Sequence, residues 1–196
     1  MTLAAGVLAV IAGFAWAGQD GLAALAVYGR RPAPVKTAPD LRALADAAAR
    51  EQGVDPCLLR AVVARESGWN PRALGTAGEI GLVQMLPSTW RFMESRGEAQ
   101  GNPWEPEVNL RAGAAYLRYL GGRFSLFDRL RARMRLGFDR TQMTAAAYNW
   151  GEGKVAGALV EDRRVPPIVR GYAEDVGDFQ SACRATVAKQ RARPGS

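Results

Sequence analysis

The sequence predicts a mainly α-helical single domain preceded by an apolar N-terminal signal or anchor segment. Apolar residues recur at helical spacing in stretches that open on Asp or Pro and close on Gly. No stretch alternates apolar and polar residues over the length of a strand. The first residues, Leu3 to Gly18, carry no charge and are almost wholly apolar. At 196 residues, 48% hydrophobic and 23% charged, the chain has enough apolar content for one sizeable core. This composition excludes disorder, collagen and coiled coil.

The apolar run closes on Ala15-Trp16-Ala17, a small-x-small pattern that marks a cleaved signal peptide. A second apolar stretch, Gly21 to Tyr28, offers the alternative of a membrane anchor. An anchor spanning both stretches needs ~20 apolar residues and would have to carry Asp20. No Lys or Arg precedes Leu3, which suits neither reading, and Arg30 and Arg31 favour a cytoplasmic C-terminal flank. Residues 1–29 are therefore expected to be a signal or anchor, 30–39 a Pro-rich linker, 40–185 the folded domain and 186–196 a basic tail.

Within the domain, Asp40 caps a helix with Leu41, Leu44, Ala45 and Ala48 on one face, stopped by Gly53. Asp55-Pro56 restarts the chain as N-cap and first helical residue, with Val54 set to staple onto Leu59. Leu59, Val62 and Val63 form the apolar face of this second helix. A third runs from Pro106 to Leu120 with Leu110, Gly113, Ala114, Leu117 and Leu120 in a stripe, ended by Gly121-Gly122. Thr141 to Asn149 reads as a short Ala-rich helix ending at Gly151. The last runs from Pro167 to about Gln190, with Val169, Tyr172, Val176, Phe179, Cys183 and Val187 facing the core. Between the third and fourth, Arg123 to Arg140 holds six Arg against Asp128 and Asp139. Phe127, Leu130, Met134 and Phe138 share one face there, as expected of a solvated helix packed on the domain; docking on a membrane or partner is the alternative.

The chain has no histidine. That removes Ser-His-Asp triads, Cys-His nucleophile pairs and the usual His-rich zinc sites. Acid–base chemistry must rest on carboxylates, Tyr or Lys. The net charge of +7 favours anionic surroundings such as nucleic acid, membrane headgroups or cell-wall polymer. Only Lys36, Lys154 and Lys189 are lysines, and no nucleic-acid motif accompanies the charge, so nucleic acid is not expected as a partner. Cys57 and Cys183 form no C-x-x-C pair, which argues against redox catalysis. Export permits a disulfide between them, joining the last helix to the second; two separate buried thiols are the alternative.

Glu66 stands out. It falls seven residues after Leu59, on the stripe of Val62 and Val63. Burial there disfavours the carboxylate and raises its pKa, which suits a general acid. Ser67-Gly68 ends the helix and Trp69-Asn70-Pro71 begins a turn.

From Glu66 the sequence ESGWNP resembles the first motif of the soluble-lytic-transglycosylase-like (SLT) domain, glycoside hydrolase family 23. GEIGLVQMLPST, Gly78 to Thr89, is similar to the family segment G-A-x-G-L-M-Q-x-M-P-x-T. NPWEPEVNLRAGAAYLRYL, Asn102 to Leu120, resembles D-P-x-x-N-I-x-x-G-x-x-Y-L, and AAYNWGEG, Ala146 to Gly153, resembles A-x-Y-N-A-G-x-G. The four blocks keep the family order across roughly residues 40 to 180.

The resemblance implies a lysozyme-like α domain, without cofactor, that cuts the MurNAc-GlcNAc β-1,4 link of peptidoglycan in the periplasm or cell envelope. Glu66 matches the family Glu that serves as both acid and base, leaving a 1,6-anhydro end without consuming water. No secure second carboxylate accompanies it, although Glu79 is a candidate. Tyr148 matches a tyrosine that orients the catalytic carboxyl, and Gln84 a substrate-binding glutamine; each alternatively belongs to the core. Asn149 shapes a turn or binds sugar. Met85 and Thr76 join the expected substrate contacts, and Trp150, where the family has a small residue, is a subsite candidate. Ser67 is expected to secure the loop, and Trp69 and Trp90 to pack.

Four positions depart from the pattern: Gly75 where Ser is frequent, Glu79 for Ala, Val83 for Met, and Trp150. Alternatives to the transglycosylase reading are a hydrolytic muramidase of goose-lysozyme type and a catalytically weak glycan-binding factor. The latter would help assemble an envelope-spanning secretion, conjugation or phage machine.

Overall fold

The computed structural model describes residues 40–124, 128–129, 132–161 and 164–192. The expected leader and linker, and Phe127 and Leu130 of the arginine-rich segment, lie outside the described residues.

Two aspartates start the first two helices. The Asp40 carboxylate accepts from the N–H groups of Arg42 and Ala43, opening α1 (Leu41–Glu51), which buries Ala45, Ala48 and Ala49. Gly53, in the left-handed region at φ +66°, turns the chain toward α2. Asp55 accepts from the Cys57 N–H, Pro56 takes the first helical position, and α2 (Pro56–Ser67) buries Cys57, Leu59, Ala61, Val62 and Val63.

After α2 the chain forms an irregular loop with two isolated β-bridges, Leu74 to Ile80 and Ile80 to Met85. Then come α3 (Pro87–Ser95), α4 (Pro106–Arg123), a π-helical turn (Ala132–Leu136), α5 (Arg140–Trp150), α6 (Glu152–Val160) and α7 (Pro167–Arg191). The expected short Ala-rich helix is α5, opened by a capping box in which Asp139 and Gln142 bond each other's backbone. Neither α3 nor α6 was visible as apolar periodicity, since each is only nine residues long. The α4 helix runs through Gly121 and Gly122 to Arg123 rather than stopping there.

One core joins these elements, with Leu59, Val62, Leu82, Leu110, Leu117, Leu120 and Met143 fully buried. The α7 helix packs on α2 and α5, and α1 on α2 and α4. The outcome is a mainly helical single domain without a sheet among the described residues.

Two expected faces are different in the structure. Met134 is 78% exposed whereas Phe138 is 1% exposed, so they share no helical face. Gly137, at φ +71°, breaks the chain after the π turn and sends Phe138 into the core, where Arg170 lies over its ring. On α7, Phe179 is 43% exposed and the buried position belongs to Gln180. Gln180 lies four positions after Val176, on the same helical face, and its polar side chain is satisfied by Asp55 at 2.7 Å and Thr141 at 2.7 Å.

Cys57 and Cys183 are joined as a disulfide with their Cα atoms 5.6 Å apart, tying α7 to the start of α2. Arg184 and Gln180 meet Asp55 beside it. Because the bridge spans 126 residues, replacing both cysteines by serine is expected to lower unfolding stability by up to ~5 kcal/mol in the chain-entropy model. Denaturant titration of the double variant checks this, with helical content retained in the absence of denaturant.

Candidate active site

The site begins where α2 ends. Gly68 and Trp69 both take left-handed backbone, at φ +58° and +68°, and turn the chain sharply after Glu66 and Ser67. Ser67 donates its hydroxyl to the Leu82 carbonyl at 2.8 Å and also lies 3.2 Å from the Val63 carbonyl, so it fastens the following loop to α2.

Asn109, on α4 and 1% exposed, fixes the same loop from the other side. Its Oδ1 accepts from the Val83 N–H at 3.0 Å, and its Nδ2 donates to the carbonyls of Ile80 at 3.2 Å and Pro103 at 3.1 Å. Two glycines make the approach possible. A Cβ on Gly81 would stand 2.5 Å from the Asn109 amide nitrogen, and one on Gly113 would stand 2.6 Å from Val83. The glycine of the third sequence block is thus a packing requirement between α4 and the loop.

Gln84 is held at φ +45°, a left-handed conformation that costs a non-glycine residue roughly 1–2 kcal/mol. Its neighbours hold it there: Val83 by Asn109, and Met85 by paired backbone bonds with Ile80 at 3.2 Å. The Gln84 Nε2 donates to the Gly81 carbonyl at 3.0 Å. Strain of this kind collects at functional sites.

Glu66 itself is half-buried. Burial pushes its carboxyl up to about 7, with a smaller push from the Glu79 charge, while the Tyr172 hydroxyl and the Arg65 charge pull it down. Tyr172 donates to Glu66 Oε1 at 2.6 Å. Its ring packs beneath Arg65, which also reaches Asp175 at 3.1 Å. Burial and the nearby Glu66 hold the Tyr172 and Tyr148 hydroxyls well above the usual tyrosine range, so both remain protonated donors.

The orienting hydroxyl on Glu66 therefore belongs to Tyr172, which the sequence placed only in a core stripe. Tyr148, expected in that role, donates instead to the Val83 carbonyl at 2.7 Å and packs against Tyr116 at 5.4 Å between ring centres. A buried tyrosine needs a partner for its hydroxyl; that requirement was the available signal for Tyr172. Met85, expected to touch substrate, is 2% exposed and packs in the core, leaving almost no surface to offer. Thr76 and Asn149 are exposed, and Trp150 is partly buried against the core. Trp90 packs in the core, and Trp69 lies under Arg42.

The family model described as the transglycosylase SLT domain matches residues 43–167. This chain belongs to that family. It is 41% identical over 93 residues to endo-type membrane-bound lytic murein transglycosylase A of Klebsiella pneumoniae, covering 44% of this chain and 46% of that relative. The same identity and coverage hold for the protein of that name from Salmonella enteritidis. The chain thus spans about half the length of these curated relatives. In fold it is similar to an inactive mutant of the lytic transglycosylase Slt from Pseudomonas aeruginosa, with TM-score 0.57, 24% identity and coverage of 71% of this chain and 23% of that one. It is likewise similar to the 70 kDa soluble lytic transglycosylase of Escherichia coli, with TM-score 0.56, 24% identity, and coverage of 74% and 24%.

Tyr172→Phe removes the hydrogen bond that favours the charged form of Glu66. The Glu66 midpoint is expected to rise above its wild-type position, read by carbon-13 NMR of the carboxyl carbon.

Proposed function

We propose that this protein is a lytic transglycosylase that cleaves the MurNAc-GlcNAc β-1,4 bond of peptidoglycan, leaving 1,6-anhydro-MurNAc ends. The observation that carries this reading is the Glu66 carboxyl, raised to about 7 by burial and held by the Tyr172 hydroxyl. A general acid is most effective when its pKa lies near the working pH.

In this reaction protonated Glu66 gives its proton to the glycosidic oxygen as the bond to C1 breaks. The resulting carboxylate then takes the proton of the MurNAc C6 hydroxyl, whose oxygen closes on C1. One proton leaves Glu66 and one returns, so no water is consumed. An internal nucleophile gains from proximity, worth about 7–11 kcal/mol when well aligned. We assign Gln84, held on the loop that follows α2, to hydrogen-bonding the sugar, and Tyr148 helps fix that loop through the Val83 carbonyl. The names of the curated relatives support murein as substrate.

The same relatives support an envelope or periplasmic location. We read residues 1–29 as the export segment, either cleaved or kept as an anchor, and service to an envelope-spanning secretion or conjugation machine as the setting. Among the described residues no helix is long and apolar enough to cross a membrane.

Glu66→Gln is expected to slow digestion of purified sacculi ~10²–10⁴-fold. Retention of more than about a tenth of the rate would remove Glu66 from the acid role. Mass spectrometry of the wild-type digest should show ends lighter by one water than reducing ends. Reducing ends would identify a hydrolytic muramidase, and glycan binding without cleavage an assembly factor.

The pH profile follows from the same group. The acid step needs protonated Glu66, so the rate is expected to fall as pH rises through about 7. A rate that stays flat from pH 6 to 9 would exclude that assignment.

A further inference from the structure

We propose that Glu79 is a positioning residue of this site, whose carboxylate occupies the space left by the missing side chain of Gly75 and acts on Glu66 through its charge.

A Cβ built on Gly75 would stand 2.2 Å from Glu79 Oε2, 2.8 Å from Glu79 Cδ and 3.1 Å from Gln84 Oε1. Carbon and oxygen do not pack at 2.2 Å, so a side chain at position 75 and this carboxylate position exclude each other. Gly75 is not among the glycines with positive φ, so space rather than backbone freedom accounts for glycine here. The backbone also holds this carboxylate in place. Glu79 Oε2 accepts from the Ala77 N–H at 2.9 Å. The backbone around it is closed by the Gly75 N–H on the Glu79 carbonyl at 2.8 Å and the Gly78 N–H on the Gly75 carbonyl at 3.2 Å. Glu79, Gly75 and Gln84 thus interlock.

Glu66 lies within electrostatic reach of Glu79, of Arg65 on α2, of Tyr148 on α5 and of Tyr172 on α7. Among these groups Glu79 adds its push to that of burial and opposes Arg65, whose guanidinium is shared with Asp175. Glu79 therefore helps Glu66 keep its proton until a glycosidic oxygen arrives. It acts through Glu66 and does not itself exchange a proton with the sugar.

This inference rests on Glu66 being the acid, and its test separates the two. Four variants of the full chain address the same carboxylate. Glu79→Gln keeps its shape and removes the charge. Gly75→Ala keeps the charge and displaces it. Glu79→Ala removes the obstacle together with the charge, and Gly75→Ala/Glu79→Ala adds the methyl group to that background. The readouts are the Glu66 midpoint by carbon-13 NMR without substrate and the alkaline limb of sacculus digestion.

Glu79→Gln and Gly75→Ala are both expected to move the midpoint and the limb to lower pH. Gly75→Ala should have no further effect on either once Glu79 is alanine. An unmoved midpoint in Glu79→Gln overturns the proposal, as does an equal Gly75→Ala effect with and without Glu79. Should Gly75→Ala fail to fold, Glu79→Gln decides alone, because it introduces no overlap. Absence of anhydro ends from the wild-type enzyme would sink the functional reading and leave the NMR result standing.

Discussion

The side-chain amide of Asn109 makes three hydrogen bonds inside the core, and the loop from Ile80 to Met85 is placed by them. Leaving such buried partners unpaired costs about 1–3 kcal/mol each, so the loop has one low-energy position against α4. The left-handed Gln84, the Val83 carbonyl that receives Tyr148, and the Leu82 carbonyl that receives Ser67 all lie on this stretch. Removing the Cβ atoms at Gly81 and Gly113 lets backbone and helix approach closely enough for the clamp to form. Strain at Gln84 persists because bonds on both sides over-determine it.

Against this fixed floor, the state of Glu66 is a contest between desolvation and polar contacts. Burial is the largest influence and favours the neutral acid. The Tyr172 hydroxyl and Arg65 favour the carboxylate that must exist halfway through the proposed reaction. A purely apolar pocket would hold the proton but make the second, basic role costly. The mixed surroundings leave a carboxyl near 7, suited to giving a proton and taking one back.

Local signals were the legible ones. Asp40 and Asp55 announced α1 and α2, and the Leu59-Val62-Val63 stripe carried Glu66 with it. The family blocks pointed to the loop and to α4. Contacts made across long sequence separations were not legible: Tyr172 meets Glu66 from 106 residues away, and no periodicity predicts which hydroxyl on a core stripe finds which carboxyl. Nor did spacing show that Gln180 rather than Phe179 faces inward, since a polar residue there is affordable only with Asp55 and Thr141 beside it. The departures at positions 75 and 79 looked independent in the sequence and meet in space, one side chain filling what the other lacks.

The hydroxyl on Glu66 comes from α7, the last of the described helices in chain order, and a disulfide to α2 pins that helix down. During synthesis, Glu66, Gln84 and Tyr148 all leave the ribosome before Tyr172 does. Until α7 docks, Glu66 lacks its hydroxyl partner, so carboxyl and donor are brought together only once nearly all of the described chain has been made.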